Sequence, residues 1–318
     1  PESEQDEPRP GTAVILHPEI TGREDPAGRP PEARLEETVR LTRALKLKIL
    51  RAEWFPVKKP NAGTLLGKGK IEEWSEIIRE KRAEMAIVNE ELTPAQMKKL
   101  SQAFGVKVYD RQGLILEIFA DRARTEEARI KVELARKRYQ RTHLVHAWSH
   151  LERQRGSLSF IGGPGEKQIE LDRRRIDEQI HQLEQRLESV KNMRKVNRGG
   201  RQDPVVALIG YTNAGKSTLF NQLAKAQTAA QNQLFSTVDP FMRKIILPRG
   251  THAILSDTVG FVSNLPDFLR TSFEITLEEV AQADLIVHVR DIAAPYTESE
   301  YEDVKRVLRE TSTLEIDI

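Results

Sequence analysis

The feature that most constrains this chain is a short glycine-containing stretch at residues 204–217, which reads PVVALIGYTNAGKS. An apolar, β-branched run typical of a buried parallel strand stops at Gly210, where the pattern Gly-x-x-x-x-Gly-Lys-Ser begins. Leu219, Phe220 and Leu223 follow at helical spacing. Strand, glycine loop and helix in this order indicate a phosphate-binding loop. A glycine turn capped by a serine is the alternative, which this context disfavours.

The residue types in this loop suit a nucleoside triphosphate. Gly210 and Gly215 let the backbone curl so that successive N–H groups point at phosphate oxygens, and the following helix presents its positive end to the same charge. Lys216 adds a mobile cation, and Ser217 carries a hydroxyl where a bound Mg²⁺ ion needs a ligand. The sequence therefore predicts nucleotide binding with magnesium as cofactor.

The amino-acid composition limits which kinds of protein this chain can be. A chain of 318 residues has room for two or three domains. Charged residues make up 31% of the chain but the net charge is only +2, so any nucleic-acid surface must come from local clustering. The absence of cysteine excludes disulfides and thiolate metal sites and is compatible with a reducing compartment. No apolar run approaches the length that spans a bilayer.

The acidic, proline-rich residues 1–10 predict a disordered tail that is neither a secretory signal nor a basic transit peptide. Residues 11–110 then alternate short β-branched runs with helical patterns, which predicts a small α/β domain. The predicted strands are 12–16, 46–52, 85–89 and 106–109, and the predicted helices are 32–45, 70–82 and 94–104. Thr93 is placed to cap the last helix. The glycine- and lysine-rich residues 66–70 favour a βα turn over an anion site.

Residues 111–197 predict two long helical segments separated by a glycine-rich tip at 155–165, RGSLSFIGGPG. In the second segment the apolar residues follow the spacing of a coiled-coil seam: Ile176, Ile180, Leu183, Leu187 and Val190. A patchier apolar stripe on the first segment makes an antiparallel helical hairpin the expected fold.

Basic residues follow the first helix of this predicted hairpin and gather at its tip. Along the middle of the hairpin, a solvated charged face and an RNA-binding face remain equal alternatives. At the tip, flexible backbone, a stackable ring and cations together favour contact with structured RNA. The residues predicted to bind structured RNA are Arg153, Arg155, Phe160, Gly163, Gly165 and Lys167.

Residues 198–203 read as a linker into a P-loop domain at 204–318. Downstream of the loop, Asp257 ends a predicted strand and begins Asp-Thr-Val-Gly. Such an Asp can hold Mg²⁺ directly or through water, and Gly260 can offer an N–H to the γ-phosphate. Thr237, in the upstream segment LFSTVDP, would complete the metal shell only while that phosphate is present. This arrangement is typical of a nucleotide-dependent switch.

Phe261 follows Gly260, at the position where many switch GTPases carry a water-orienting Gln. A phenyl ring cannot hydrogen-bond water, so slow intrinsic hydrolysis is expected. Asn213 could bind a potassium ion beside the phosphates, or make a plain loop hydrogen bond. No Asn-Lys-x-Asp sequence is present to read guanine, so the P-loop domain is expected to be incomplete at its C-terminus, and these residues alone do not decide the base.

Several segments together resemble the HflX family of GTPases: VYDRQGLILEIFADRARTEEARIKVELA at 108–135, GGPGEKQIELDRRR at 162–175, GYTNAGKSTLFNQL at 210–223, and LFSTVDP with DTVGFVSNLP beyond. They occur in the order and spacing of that family. The resemblance implies a ribosome-associated GTPase that binds the large subunit and its rRNA, inserts the hairpin tip near the peptidyl transferase centre and splits stalled ribosomes.

The resemblance also implies roles for individual residues, which fall into three sets. The nucleotide-binding set is Gly210, Asn213, Ala214, Gly215, Lys216, Ser217, Thr218, Thr237, Asp257 and Gly260. The expected metal ligands are Ser217, Thr237 and Asp257, and the expected catalytic residues are Lys216, Thr237 and Gly260. GTP is the expected substrate, Mg²⁺ the cofactor and K⁺ a candidate second ion.

The sequence thus predicts an α/β protein in which a small α/β domain and a long antiparallel helical hairpin precede an incomplete P-loop GTPase domain. We expect a cytoplasmic monomer; a mitochondrial matrix protein is the alternative if a transit segment was removed upstream. Two other functions stay open. One is a GTP-dependent large-subunit assembly or rRNA-binding factor that never splits ribosomes, and the other is a binding protein without enzymatic activity.

Overall fold

The computed structural model describes residues 11–23, 25, 28–154, 164–198, 203–225, 241–248, 250–262 and 280–311. The chain forms two compact units. The first contains residues up to Glu24 together with Pro30–Ile115, and the second contains Asp25–Arg29 together with Leu116–Ile318. The sequence predicted the helical hairpin and the P-loop region as separate parts, whereas both fall in the second unit, which also includes Asp25–Arg29.

The first unit is built on a four-stranded parallel sheet in the order β2-β1-β3-β4. Its strands are β1 Thr12–Ile20, β2 Lys48–Val57, β3 Met85–Val88 and β4 Lys107–Asp110. The helices between them are α1 Pro31–Ala44, α2 Lys68–Lys81 and α3 Pro94–Phe104. Strands that alternate with helices and pair in parallel confirm the predicted α/β class for this part of the chain.

Two strands of this sheet extend past the predicted ends. The sequence predicted strands over 12–16 and 46–52, whereas β1 continues through Pro18 to Ile20 and β2 continues through Pro56 to Val57. Proline cannot donate to a sheet ladder, so it is confined to places where its side of the strand needs no donor. In the structure β1 pairs with β3 only over Ala13–Leu16, so Pro18 lies where β1 has β2 alone as its partner. Pro56 lies in β2, the strand at one edge of the sheet order.

Apolar side chains between the sheet and its helices form the core of this unit. Val14, Leu16 and Val88 from the strands pack with Trp74 of α2 and Leu100 of α3. Helix α3 begins at a capping box, as Thr93 accepts from the Gln96 N–H and the Gln96 side chain accepts from the Thr93 N–H. The predicted cap at Thr93 is therefore present.

Three helices lie between the two sheets in sequence: α4 Arg111–Arg122, α5 Glu126–Gln154 and α6 Pro164–Arg198. The prediction of one long segment before the tip is wrong, because the chain breaks between α4 and α5. Thr125 starts a new helix by accepting the Ala128 N–H at 3.2 Å. Glu126 and Glu127 then occupy the first turn, where acids favour a helix start.

Helices α5 and α6 form an antiparallel pair. Three ion pairs join them: Glu126 with Arg186, Arg138 with Glu184, and Arg141 with Asp177. As the residue number rises along α5, the number of the partner on α6 falls, as expected for antiparallel helices. The predicted apolar positions on α6, from Ile176 to Val190, are half-buried between exposed neighbours. The cations that bond across the pair favour the solvated, ion-paired interpretation of the middle of the hairpin. Helix α6 begins at Pro164, within the predicted tip.

The second sheet lies in the P-loop region and has the order β6-β7-β5-β8. Its strands are β5 Val205–Ile209, β6 Phe241–Ile246, β7 His252–Asp257 and β8 Leu285–His288. Both β7 and β8 pair in parallel with β5, whereas β6 runs antiparallel to β7. Helix α7 Lys216–Ala224 packs Phe220 against Leu208 and Leu255 of this sheet, and α8 spans Thr297–Thr311. In the described part of the chain, no helix has the length and apolar character that a membrane span needs.

Candidate nucleotide-binding site

The candidate site lies at the carboxyl ends of the parallel strands of the second sheet. β5 has a parallel neighbour on each side, β7 and β8, so the loop that follows it emerges between two other strand ends. Ligands of open α/β sheets bind in the crevice outside these strand ends. The topology therefore brings the phosphate loop after β5 together with the residues that end β7.

The first glycine of the loop is required by close backbone contact. A Cβ atom on Gly210 would lie 2.2 Å from the Val289 carbonyl oxygen, and the residue has φ of +149°. At the other end, Gly215 adopts a left-handed conformation with φ of +96° and stands at the N-cap of α7. Asn213 between them also has a positive φ of 65°. These three residues make the tight curve on which phosphate binding by backbone N–H groups depends.

Lys216 reaches back over this curve. Its ammonium group donates to the carbonyl oxygens of Gly210 at 3.0 Å and Tyr211 at 2.7 Å. An ammonium group has three N–H donors, so the third is the one a phosphate oxygen would accept. The residue is only 5% exposed. Burial lowers the pKa of Lys216 from 10.5 to about 8, and the nearby Asp257 carboxylate partly opposes this shift.

Ser217 and Asp257 meet on the other side of the lysine. The Ser217 hydroxyl donates to Asp257 Oδ2 at 2.7 Å, although the two residues are 40 positions apart. Asp257 is the last residue of β7 and is 2% exposed. One hydroxyl and one carboxylate oxygen form the hard donor set that Mg²⁺ prefers. These two predicted metal ligands therefore fit a magnesium ion.

The segment after Asp257 is hydrogen-bonded to the phosphate loop. The Phe261 N–H donates to the Gly210 carbonyl at 3.1 Å, and the Thr212 N–H donates to the Phe261 carbonyl at 2.7 Å. A Cβ atom on Gly260 would lie 2.8 Å from Thr212 Cα and 3.0 Å from the Lys216 ammonium nitrogen. Gly260 thus touches the loop in a place where no side chain fits. The Phe261 ring is buried.

Sequence reasoning missed two residues that support this site. Tyr211, the second residue of the motif, is buried, and its carbonyl accepts from Lys216. His288 ends β8 opposite Ile209 and stacks on Tyr301 with ring centroids 5.3 Å apart. Burial, Arg290 and Lys216 lower the pKa of His288. The motif pattern leaves the identity of residue 211 open, and nothing local in the sequence marks residue 288.

The remaining predicted residues fall into two groups. Ala214 is half-buried, and Asn213 and Thr218 are exposed at the loop and the first turn of α7, next to Lys216 and Ser217. The other predictions lie outside the described residues. Thr237, Arg155, Phe160 and Gly163 are in such segments, and although Arg153, Gly165 and Lys167 fall within α5 and α6, their side chains are not described.

The fold and the site define a P-loop nucleoside-triphosphate-binding protein. Comparison with known protein families identifies a narrower class among P-loop proteins. A family profile described as 50S ribosome-binding GTPase matches residues 205–316. Two others, described as the N-terminal and middle regions of a GTP-binding GTPase, match residues 32–120 and 122–201.

Curated relatives give the family. GTPase HflX of Lacrimispora saccharolytica is 43% identical over 302 residues, which cover 93% of this chain and 70% of the relative. GTPase HflX of Magnetococcus marinus is 48% identical over 279 residues, covering 87% of this chain. The chain therefore belongs to the HflX family of GTPases, as its sequence segments predicted. It spans 65%, 60% and 57% of three of the relatives, from Magnetococcus marinus, Caldanaerobacter subterraneus and Chlamydia pneumoniae.

A solved structure supports the fold. The crystal structure of a GTP-binding protein from Sulfolobus solfataricus in complex with GDP matches with a TM-score of 0.51 and 22% identity. The match covers 95% of this chain and 78% of that protein. At this level of identity the likeness concerns the fold, and it confirms the α/β class.

The contact of Gly260 with the phosphate loop predicts the effect of a single methyl group. Gly260→Ala should weaken GTP binding at least tenfold, because the added Cβ must displace Thr212 or the Lys216 ammonium. Titration with a fluorescent GTP analogue measures this. The matched control is Gly69→Ala in α2, where a Cβ meets nothing within 4 Å and alanine favours the helix. Equal affinities of the two variants would contradict the assigned role of Gly260.

The lowered pKa of Lys216 predicts how stability depends on pH without nucleotide. The folded protein loses the Lys216 proton near pH 8, whereas the unfolded chain keeps it up to pH 10.5. Below pH 8 the folded state bears the free-energy cost of a buried charge, and between pH 8 and 10.5 this cost falls because the buried group is neutral. Stability relative to Lys216→Met should therefore rise from pH 8 to 10 by up to about 1.4 kcal/mol per pH unit.

Urea unfolding followed by far-UV circular dichroism measures this difference. Lys98→Met, at an exposed position of α3, is the matched control and should show no such slope. A stability difference between wild type and Lys216→Met that stays flat from pH 8 to 10 would show that the ammonium group is not held in a desolvated position.

Proposed function

We propose that this chain provides the GTP-hydrolysing part of a factor that binds the large ribosomal subunit and splits or recycles stalled ribosomes. One observation carries the proposal. Lys216, Ser217, Asp257 and Gly260 come from separate parts of the sequence and meet around one phosphate loop. This is the set of groups that phosphoryl transfer from a nucleoside triphosphate to water requires.

The proposed chemistry assigns each group one task. The loop N–H groups and the Lys216 ammonium hold the phosphate oxygens and stabilise the charge that develops on them. Ser217 and Asp257 would hold Mg²⁺, Asp257 directly or through water. When bound, the ion neutralises charge on the last two phosphates. The Gly260 N–H, with Thr237 as predicted from the family resemblance, would place the attacking water.

The buried Phe261 ring supports a slow switch. Its backbone bonds to Gly210 and Thr212, but its side chain offers no group that could orient water. Fast hydrolysis would therefore require a group that orients the attacking water, supplied by the ribosome or by an ion. GTP is proposed as the substrate because the relatives named GTPase HflX and the matching GTPase profile support it.

Within the hairpin, the tip rather than the middle is proposed to bind the ribosome. Arg138 and Arg141 bond to acids on the facing helix, so these cations already have protein partners. Contacts with rRNA are therefore proposed for the tip residues, from Arg153 to Lys167. The family profile described as 50S ribosome-binding GTPase is consistent with the large subunit as the target.

Splitting is tested with the full-length protein and intact ribosomes. Light scattering should fall in the presence of GTP and stay constant with GDP. Ser217→Ala removes a metal ligand and should slow the reaction at least tenfold. Ser189→Ala is the matched control, because Ser189 is exposed and donates to a carbonyl of its own helix.

Two outcomes would replace this proposal. Large-subunit binding and GTP hydrolysis without any loss of intact ribosomes would indicate an assembly or rRNA-binding factor. Absence of phosphate release from the full-length protein, even with ribosomes present, would indicate a binding protein without enzymatic activity.

The potassium hypothesis predicts a dependence on the monovalent ion. If Asn213 binds K⁺ beside the phosphates, turnover should be several-fold faster in potassium than in sodium buffer. Asn213→Gly is the sharpest variant, since glycine keeps the positive φ of 65° while the side-chain oxygen is lost. It should abolish the difference between the two buffers. Equal turnover of the wild type in both would overturn the hypothesis.

A further inference from the structure

The P-loop unit includes a short segment from far upstream in the chain. Asp25–Arg29 belongs to this unit, although the residues before and after it belong to the other one. Within it, Gly28 has φ of +64° and donates its N–H to the Asp25 carbonyl at 2.8 Å. The Asp25 carboxylate then accepts from both the backbone N–H and the Nε of Arg29, each at 3.1 Å. Asp25 therefore fixes the direction of the Arg29 side chain.

Arg29 points at the phosphate loop. One of its terminal nitrogens donates to the Tyr211 hydroxyl at 3.1 Å, across 182 positions of sequence. The other lies 3.8 Å from the Asp303 carboxylate on α8, which also pairs with Arg306. The Arg29 side chain is 7% exposed and that of Asp303 is 4% exposed. Two cations, Arg29 and Arg306, and two carboxylates, Asp25 and Asp303, thus form ion pairs near the loop.

A buried arginine is costly unless its geometry is well satisfied. Here the guanidinium faces Asp25, Tyr211 and Asp303, and its bond to the Tyr211 hydroxyl reaches the phosphate loop. A charged donor makes that bond roughly twice as strong as one between neutral groups. The contact is therefore a firm restraint on the Tyr211 side chain.

Tyr211 connects this restraint to the reacting end of the site. Its carbonyl accepts from the Lys216 ammonium at 2.7 Å, and the residue forms a parallel bridge with Phe261. We propose that Arg29 is a positioning residue for GTP turnover: it holds Tyr211, and Tyr211 in turn directs Lys216 toward the phosphates. The part of this inference that concerns turnover rests on the proposed GTPase function.

The test uses four full-length proteins: wild type, Arg29→Gln, Tyr211→Phe and the double variant. Tyr211→Phe removes one hydroxyl group and leaves the ring in place, so it keeps the proposal testable if Arg29→Gln folds poorly. Each single variant should lower kcat for GTP about tenfold, with a smaller effect on KM. The double variant should be no worse than Arg29→Gln, because both substitutions break one contact. Arg23→Gln is the matched control, since Arg23 is exposed and pairs with Glu90.

A second readout does not need GTP. In the nucleotide-free proteins, hydrogen exchange of the amides in residues 210–217 should be about tenfold faster in Tyr211→Phe and in Arg29→Gln than in wild type. Exchange in β6, an edge strand of the same unit, should not change. A merely structural role would instead lower the melting temperature and speed exchange throughout the unit.

Three results would overturn the inference. These are loop exchange in Tyr211→Phe within twofold of wild type, a kcat of that variant within twofold of wild type, or a hundredfold loss in the double variant, as expected from independent effects. Failure of the wild type to hydrolyse GTP would overturn the proposed function alone, because the exchange measurement still decides whether Arg29 positions the loop.

Discussion

The site depends on one buried charge, the ammonium group of Lys216. An ammonium group removed from water is unfavourable unless acceptors replace its hydration. The loop supplies two carbonyl oxygens, those of Gly210 and Tyr211, and Asp257 supplies an opposite charge nearby. Since Gly210 presses against the Val289 carbonyl, the loop can make this curve only with glycine there. The lowered pKa shows that the compensation is incomplete. A phosphate oxygen would supply a further acceptor for the ammonium group, so the loop is suited to an anion.

The arrangement of strands explains how distant residues meet at this charge. β5 lies between β7 and β8, so the residues ending both neighbours lie beside the loop. Asp257 ends β7 and reaches Ser217, and the next residues return to bond with Gly210 and Thr212. The loop and the segment that begins at Asp257 are thereby joined by two backbone hydrogen bonds and by the contact of Gly260 with Thr212 and Lys216.

Much of this could be predicted from sequence because it is local. The apolar run before Gly210, the glycine spacing and the helical repeat after it each report on a few neighbouring residues, and the structure has strand, loop and helix there. The break before Glu126 was missed, although Thr125 followed by two acids is a readable start signal. The link from Arg29 to Tyr211 could not be found in this way. It joins residues 182 positions apart, and neither belongs to a pattern that requires the other.

The charged side chains of the chain also include pairs that join residues distant in the sequence. A charged fraction of 31% with a net charge of +2 means that cations and anions are nearly balanced. In the described part of the hairpin, Arg138, Arg141 and Arg186 each form an ion pair with an acid on the facing helix. Exposed pairs of this kind contribute little to stability, but they fix which faces of two helices meet. They also occupy cations that a count from sequence would assign to RNA.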